Sequence, residues 1–184
     1  MKLILINGKA EHGKDTLAEY LGAVFTLVYD QKVRIVHFAD FVKLSALKRG
    51  WNGKKDKEGR TFLQVHGEEM KQEDKYCWVR QAEEFILLHP TTDIVIIPDF
   101  RFPEEVEYFE DKPEYEVITV RIIRYKGKEV YKNKLTPQQR KHRSETALDD
   151  YKFDFVYGCE CGLVYVKEAA IHLARTLMGD IEKK

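Results

Sequence analysis

The sequence predicts an α/β fold in which a five-stranded parallel sheet is flanked by helices. Three observations predict it. Apolar runs such as Leu3-Ile4-Leu5-Ile6 and Ile94-Val95-Ile96-Ile97 carry no polar alternation, as expected of strands buried on both faces. Helical patterns fall between such runs, and strands alternating with helices imply a parallel, doubly wound sheet. Residues 8–14 fit the spacing G-x-x-x-x-G-K between the first apolar run and the helical pattern that begins Thr16-Leu17-Ala18.

Taken in order, strands are expected at 2–6, 33–38, 93–97, 116–123 and 153–157. Leu17, Leu21, Val24 and Val28 make the stripe of a first helix, and Trp78, Ala82, Phe85 and Ile86 that of another. Pro103 followed by Glu104 and Glu105 opens a third helix, because proline fits the first turn and acids suit its dipole. Ala169, Ala170, Leu173, Ala174 and Leu177 form a C-terminal helix. Tyr20, Phe25 and Phe85 are expected in the core. Two insertions interrupt the alternation: a mostly helical one at about 39–90, with a polar turn at 51–60, and a basic one at about 125–143.

At 184 residues the chain is expected to form a single domain, 1–184. No apolar run reaches membrane-spanning length and Met1-Lys2 leads straight into a strand, so neither a membrane partner nor a signal peptide is expected. Three cysteines, Cys77, Cys159 and Cys161, suit neither a disulfide framework nor a zinc site. A reducing cytoplasm is the expected location. The formal charge of zero conceals an asymmetry: residues 121–143 hold nine Lys/Arg against Glu129 alone, and 104–116 hold seven acids against Lys112. The balanced total argues against stable nucleic-acid binding, whereas a local basic segment suits a small polyanion. Oligomeric state is left between monomer and homodimer.

Residues 8–14 have the chemistry of a phosphate-binding loop. Backbone N–H groups of a glycine-bearing loop and a helix N-terminus converge on an anion, and one lysine adds a point charge. Gly8, Lys9, His12, Gly13, Lys14, Asp15 and Thr16 are therefore the candidate donor-phosphate residues. The usual hydroxyl after the lysine is replaced by Asp15 and arrives one place later as Thr16, which can sit near the phosphates or a hydrated Mg²⁺. Asp15 reads equally as a carboxylate serving the helix N-terminus. The His12 backbone N–H is expected to matter more than its ring.

A second constellation, Ile97-Pro98-Asp99-Phe100-Arg101-Phe102-Pro103-Glu104-Glu105, leaves the carboxyl end of a buried strand, where open parallel sheets place ligands. Asp99 can hold Mg²⁺, directly or through water, or orient the attacking group, and Arg101 can clamp a phosphate with parallel hydrogen bonds. The plainer role is an Asp–Arg pair bracing a turn.

The motifs Gly13-Lys14-Asp15-Thr16, Gly59-Arg60-x-x-Leu63-Gln64-x-x-Gly67, Trp78-Val79, Asp99-Phe100-Arg101-Phe102-Pro103-x-Glu105 and His142-Arg143-Ser144-Glu145 occur in that order. The set resembles the deoxynucleoside monophosphate kinases of tailed bacteriophages, and it spans most of the chain, from Ile6 to about Phe155. The resemblance implies a three-layer P-loop kinase fold and phosphoryl transfer from ATP, with Mg²⁺, to small-molecule nucleotides, in the host cytoplasm if the chain is viral. It implies that Gly8, Gly13, Lys14 and Thr16 hold the donor phosphates. Arg60, Gln64, Trp78 and Arg101, with Asp99, Arg124, His142 and Glu145, would serve the deoxynucleoside monophosphate. Arg140 and Arg143 would lie in or beside a lid at about 125–143 that closes over the donor, and the insertion at about 39–90 would grip the acceptor. Lys14, Asp99, Arg101, Arg140 and Arg143 are the candidate catalytic residues, and Thr16 and Asp99 the metal candidates. Two departures stand out: Phe100 where Asp-Val-Arg is common, and Tyr157-Gly158-Cys159-Glu160-Cys161-Gly162 where an Asn–Asp–Gly turn is common.

Plainer roles compete at several positions. Trp78 lies on an apolar stripe and suits core packing. His37, His66 and His89 suit packed or surface roles. Ser144 can cap a helix that starts at Glu145, so residues 142–145 divide between site and helix start. Rival functions are a kinase of another phosphorylated small molecule and, in a different class, a nucleotide-dependent DNA-binding module using 121–143, whose affinity would fall steeply with salt.

Overall fold

Strand β1 (Lys2–Asn7) is hydrogen-bonded on one side to β3 (Ile94–Ile97) and on the other to β4 (Glu116–Lys126), both in parallel. β2 (Val33–Ile35) extends the sheet beyond β3, and β6 (Phe155–Glu160) extends it beyond β4, again in parallel. The parallel order is thus β2-β3-β1-β4-β6. The computed structural model describes residues 1–54 and 56–181; Lys55, in the charged turn noted above, lies outside the described residues.

Two compact units divide the chain: Met1–Val36 with Thr91–Lys184, and His37–Pro90.

In the first unit, α1 (Lys14–Tyr29) and α8 (Leu163–Leu177) share one core with the sheet. Leu17, Leu21 and Phe25 of α1 and Ala170, Leu173 and Ala174 of α8 bury themselves with Ile4, Ile6, Ile94, Ile96, Val120 and Ile122. Leu3, Leu5, Val95 and Ile97 are buried as well, so the central strands are covered on both faces. Burying one such side chain stabilises the fold by about 1.5–3 kcal/mol. A further aromatic cluster joins Phe100, Tyr151 and Phe153 edge to face. Helix α5 (Pro103–Glu110) buries Val106 and Phe109. This is the α/β class expected.

The second unit is helical, with α2 (Phe38–Lys48), α3 (Lys57–Glu73) and α4 (Cys77–Leu87). Asp56 caps α3 by accepting the Gly59 N–H at 2.8 Å. Phe38, Ala46, Trp78, Val79, Ala82 and Ile86 are buried.

Several expectations need correction. The strand read at 33–38 ends at Ile35, because Val36 gives its N–H to Ile96 (3.0 Å) and the chain turns into α2 at Phe38; a short apolar run does not distinguish strand from helix. The last strand is Phe155–Glu160 rather than 153–157. Its start is pinned by Asp154, whose carboxylate accepts both the N–H and the hydroxyl of Thr119 at 2.9 Å. The sheet has a sixth strand, β5 (Glu129–Val130), antiparallel to the end of β4 through a turn at Gly127 and Lys128. At two residues, Glu-Val, it is too short to show any alternation. Val28 is 68% exposed and Phe85 37%, so neither is core; in α1 the buried stripe continues through Phe25.

Candidate active site

The glycine-bearing loop at residues 8–13 joins β1 to α1 at the carboxyl end of β1. Gly13 has φ +91°, a left-handed conformation that glycine adopts without strain. A Cβ on Gly8 would lie 2.7 Å from the Ile122 carbonyl oxygen, so only glycine lets the loop pass this close to β4. Lys14 then turns back over the loop, its Nζ donating to the Lys9 carbonyl at 3.1 Å. Its amine is buried, and its pKa is pulled down to about 8, first by desolvation and then by the nearby Arg101 guanidinium.

Segment 98–103 is brought beside this loop by Asn7, which sequence reasoning missed. Its buried side-chain amide donates to the Phe100 carbonyl at 2.8 Å. Glu105 braces the same turn, accepting the N–H groups of Arg101 (2.7 Å) and Phe102 (3.1 Å) at the start of α5. The Asp99 carboxylate is close enough to bear electrostatically on Lys14.

From the far end of the chain, α7 (Arg143–Thr146) supplies Glu145. One carboxylate oxygen pairs with Arg101 and the other accepts the Ala10 N–H at 3.2 Å. Arg101 Nη1 also donates to the Ser144 carbonyl at 2.9 Å. Lys9 donates to the Glu145 carbonyl and pairs with Asp149, and Asp149 also holds Arg121 at 3.1 Å. His142 caps α7 by accepting the Ser144 N–H at 3.2 Å. Ser144 is therefore not the expected cap of a helix starting at Glu145: the cap is His142 and the helix starts at Arg143, while Glu145 reaches the loop.

Arg124 stands on the phosphate-loop side. Its Nη1 donates to the Glu11 carbonyl at 3.1 Å, its Nε lies 3.3 Å from Cys161 Sγ, and its guanidinium stacks over Tyr131. With Gly13, Lys14, Asp15 and Thr16 it lines a cavity of about 420 Å³. A smaller one, about 170 Å³, runs from Gly13 and Thr16 to Gly162, Leu163 and Val166, beside the departure noted at 157–162.

Arg140 lines a cavity of about 280 Å³ with Lys9, His12 and Glu145. Arg140, in α6 (Pro137–Arg140), donates to Asn133 through Nε (3.2 Å) and Nη2 (2.7 Å). Arg143 is exposed, meets Glu104 at 3.3 Å and lies over the Phe102 ring. In the second unit, Arg60 and Gln64 are exposed on α3. Trp78 is not available for stacking on a base: it is 2% exposed, gives its indole N–H to the Gly67 carbonyl (3.2 Å) and packs edge-on against His66. His66 itself is buried with Ser45 Oγ 3.0 Å away, a packed histidine as read.

Arranged in this way, β1, β3 and β4 bring Lys9, Lys14, Arg101 and Arg124 to one end of a parallel sheet around a glycine-bearing loop and a helix N-terminus. That is an α/β architecture chemically suited to a polyanion. No family model matches the chain, and no curated protein matches it by sequence. Among solved structures it is similar to a shikimate kinase from Bacteroides thetaiotaomicron, with a TM-score of 0.47 and 12% identity over 96% of this chain and 98% of that one. It is also similar to a hexameric APS kinase from Thiobacillus denitrificans, with a TM-score of 0.46 and 12% identity; there 98% of this chain corresponds to 30% of the other's length. Among the described residues no helix is long and apolar enough to cross a membrane.

Proposed function

We propose that the protein transfers the γ-phosphoryl group of ATP to the phosphate of a deoxynucleoside 5′-monophosphate, releasing ADP and the deoxynucleoside diphosphate. The observation that carries this reading is the burial of the Lys14 amine in the loop with Arg101 near it: desolvation, and then the guanidinium, burden the lysine charge until an anion arrives. Two phosphate groups meeting there would relieve both cations. A hydroxyl acceptor would instead call for a base, for which Asp99 is the candidate. A phosphate acceptor needs none, since its oxygen is already nucleophilic, and the work reduces to positioning and charge cancellation. The attacking oxygen bonds to the γ-phosphorus as the bond to the β–γ bridging oxygen breaks, and that oxygen leaves on ADP with the electron pair. Lys14 and Arg101 neutralise charge shared between these oxygens.

The deoxynucleoside acceptor rests on the ordered motifs, and Arg60 and Gln64 are its candidate contacts in the second unit. Arg140 and Arg143 are the candidate lid cations, and the small cavity bounded by Gly162 and Leu163 is the candidate donor-base site. Among the described residues no three His, Cys, Asp or Glu side chains gather as a metal cage. Mg²⁺ uses one or two protein oxygens and otherwise water and substrate phosphates. The Thr16 hydroxyl and Asp99 carboxylate are hard oxygens of the required kind. When bound, the metal would neutralise and orient the donor phosphates. An ADP-release assay with ATP and Mg²⁺ against the four dNMPs and their ribose counterparts tests the reading. Turnover with a dNMP is the expected result. Silence with all of them, while ATP still binds, sinks the acceptor assignment.

A further inference from the structure

The phosphate loop is fastened to the hairpin that follows it in space, and the fastening runs through a ring whose role the loop motif does not specify. His12 is buried. Its Nδ1 lies 3.2 Å from the Arg124 backbone N–H and its Nε2 3.2 Å from the Tyr131 carbonyl. The amide has only a hydrogen to offer and the carbonyl only lone pairs. The imidazole is therefore held neutral, bare at Nδ1 and protonated at Nε2. Its neighbour Glu11 is a non-glycine residue with φ +64°, a conformation that persists only where surrounding contacts determine it. Those contacts come from the hairpin and the residues just after it. The Glu11 carbonyl takes Arg124 Nη1 at 3.1 Å, and its carboxylate takes the Lys134 N–H at 3.2 Å and the Tyr131 hydroxyl at 3.3 Å.

We infer that His12 is a positioning residue for the donor. Its ring clasps the loop to the β4–β5 hairpin, holding residues 11–13 in the shape that binds the ATP phosphates and setting the Arg124 guanidinium beside them. The inference rests on the proposed use of ATP, but not on the identity of the acceptor. Histidine is required there for two opposed hydrogen-bonding groups on one rigid, compact side chain. An isosteric hydrocarbon ring fills the space and makes neither bond, whereas a glutamine amide offers one acceptor and one donor.

The test compares His12→Phe, His12→Gln and the parent protein by calorimetric titration with ATP and Mg²⁺, by melting temperature, and by amide hydrogen exchange over residues 11–13 and 124–134. His12→Phe is expected to weaken ATP at least tenfold and to speed exchange in both segments, with a melting temperature close to the parent's. His12→Gln is expected to bind within about threefold of the parent. ATP binding by His12→Phe within twofold of the parent overturns the inference. So does an equal loss in both variants accompanied by general destabilisation, which would mark the ring as packing only. A parent protein that binds ATP but phosphorylates no dNMP removes the acceptor reading alone, because the ratio of ATP affinities still decides the role of His12.

Discussion

Glu145 joins Arg101 to the phosphate loop. One oxygen of its carboxylate pairs with the arginine while the other accepts the Ala10 N–H at 3.2 Å. The side chain is 8% exposed, so the pair is shielded from the solvent that weakens surface ion pairs. Arg101 commits Nη1 to Glu145 and to the Ser144 carbonyl, and a guanidinium carries two further nitrogens with which to meet a phosphate. Glu145, a candidate nucleotide ligand on sequence grounds, is placed by this geometry between Arg101 and the Ala10 N–H.

Replacing it should therefore act through Arg101. Glu145→Ala is expected to lower kcat/KM for the proposed acceptor by roughly 10–100-fold, the scale of a misplaced clamp, with ATP affinity changed less than threefold. The loss of a partner for a part-buried cation should also cost about 1–3 kcal/mol of stability. Steady-state kinetics with each substrate varied in turn, together with thermal melts, check both effects. Unchanged acceptor kinetics in a folded variant would count against the orienting role.

Removing the loop lysine should separate stability from function. Lys14→Ala is expected to reduce transfer by about 10²–10³-fold, on the scale of a lost transition-state donor. Its melting temperature near pH 7 should match or exceed the parent's, because a buried amine held below its ordinary pKa is a burden on the fold. Near-normal turnover would remove Lys14 from the reaction.

The same amine sets a pH dependence. Its folded pKa is depressed from 10.5 to about 8, so between those values the unfolded chain binds more protons and the lysine's unfavourable contribution is relieved as pH rises. ATP reverses the preference by favouring the protonated amine. Affinity for ATP should fall as pH rises through about 8, with proton uptake on binding near pH 8.5. Titration calorimetry in buffers of different ionisation enthalpy detects that uptake, and Lys14→Arg should abolish it because guanidinium does not titrate there.

Close packing at the loop entrance can be probed with one methyl group. Gly8→Ala puts a Cβ 2.7 Å from the Ile122 carbonyl oxygen and 3.0 Å from its Cγ2. Neither can withdraw without moving β4, so the loop must shift. A stability loss of about 1–3 kcal/mol and at least a tenfold loss of ATP affinity are expected, read by melts and calorimetry. Parent-like ATP binding would show that the loop tolerates the shift.

Much of the framework was legible along the chain. The apolar runs around Ile4 and Ile96 mark the central strands because a strand buried on both faces has no polar alternation. Pro103 with Glu104 and Glu105 marks the start of α5 because helix N-termini favour those residues locally. What escaped was structure made by pairing. β5 is only Glu129 and Val130, too short to show a pattern, and is a strand because β4 lies beside it; Val28 fits the periodicity of α1 but reaches no core.

The sequence by itself determined the fold class and the place of the glycine-bearing loop, since strand burial, glycine spacing and helix onset are properties of a few neighbouring residues. Only the tertiary structure decided which side chains serve that loop. The Glu145 carboxylate meets Ala10 across 135 residues, and the His12 ring meets Tyr131 and Arg124 across 119 and 112. It likewise set Arg124 beside the loop and sealed Trp78 inside the second unit. Such contacts follow from the strand order that brings the ends of β1, β3 and β4 together, and no local pattern carries that order.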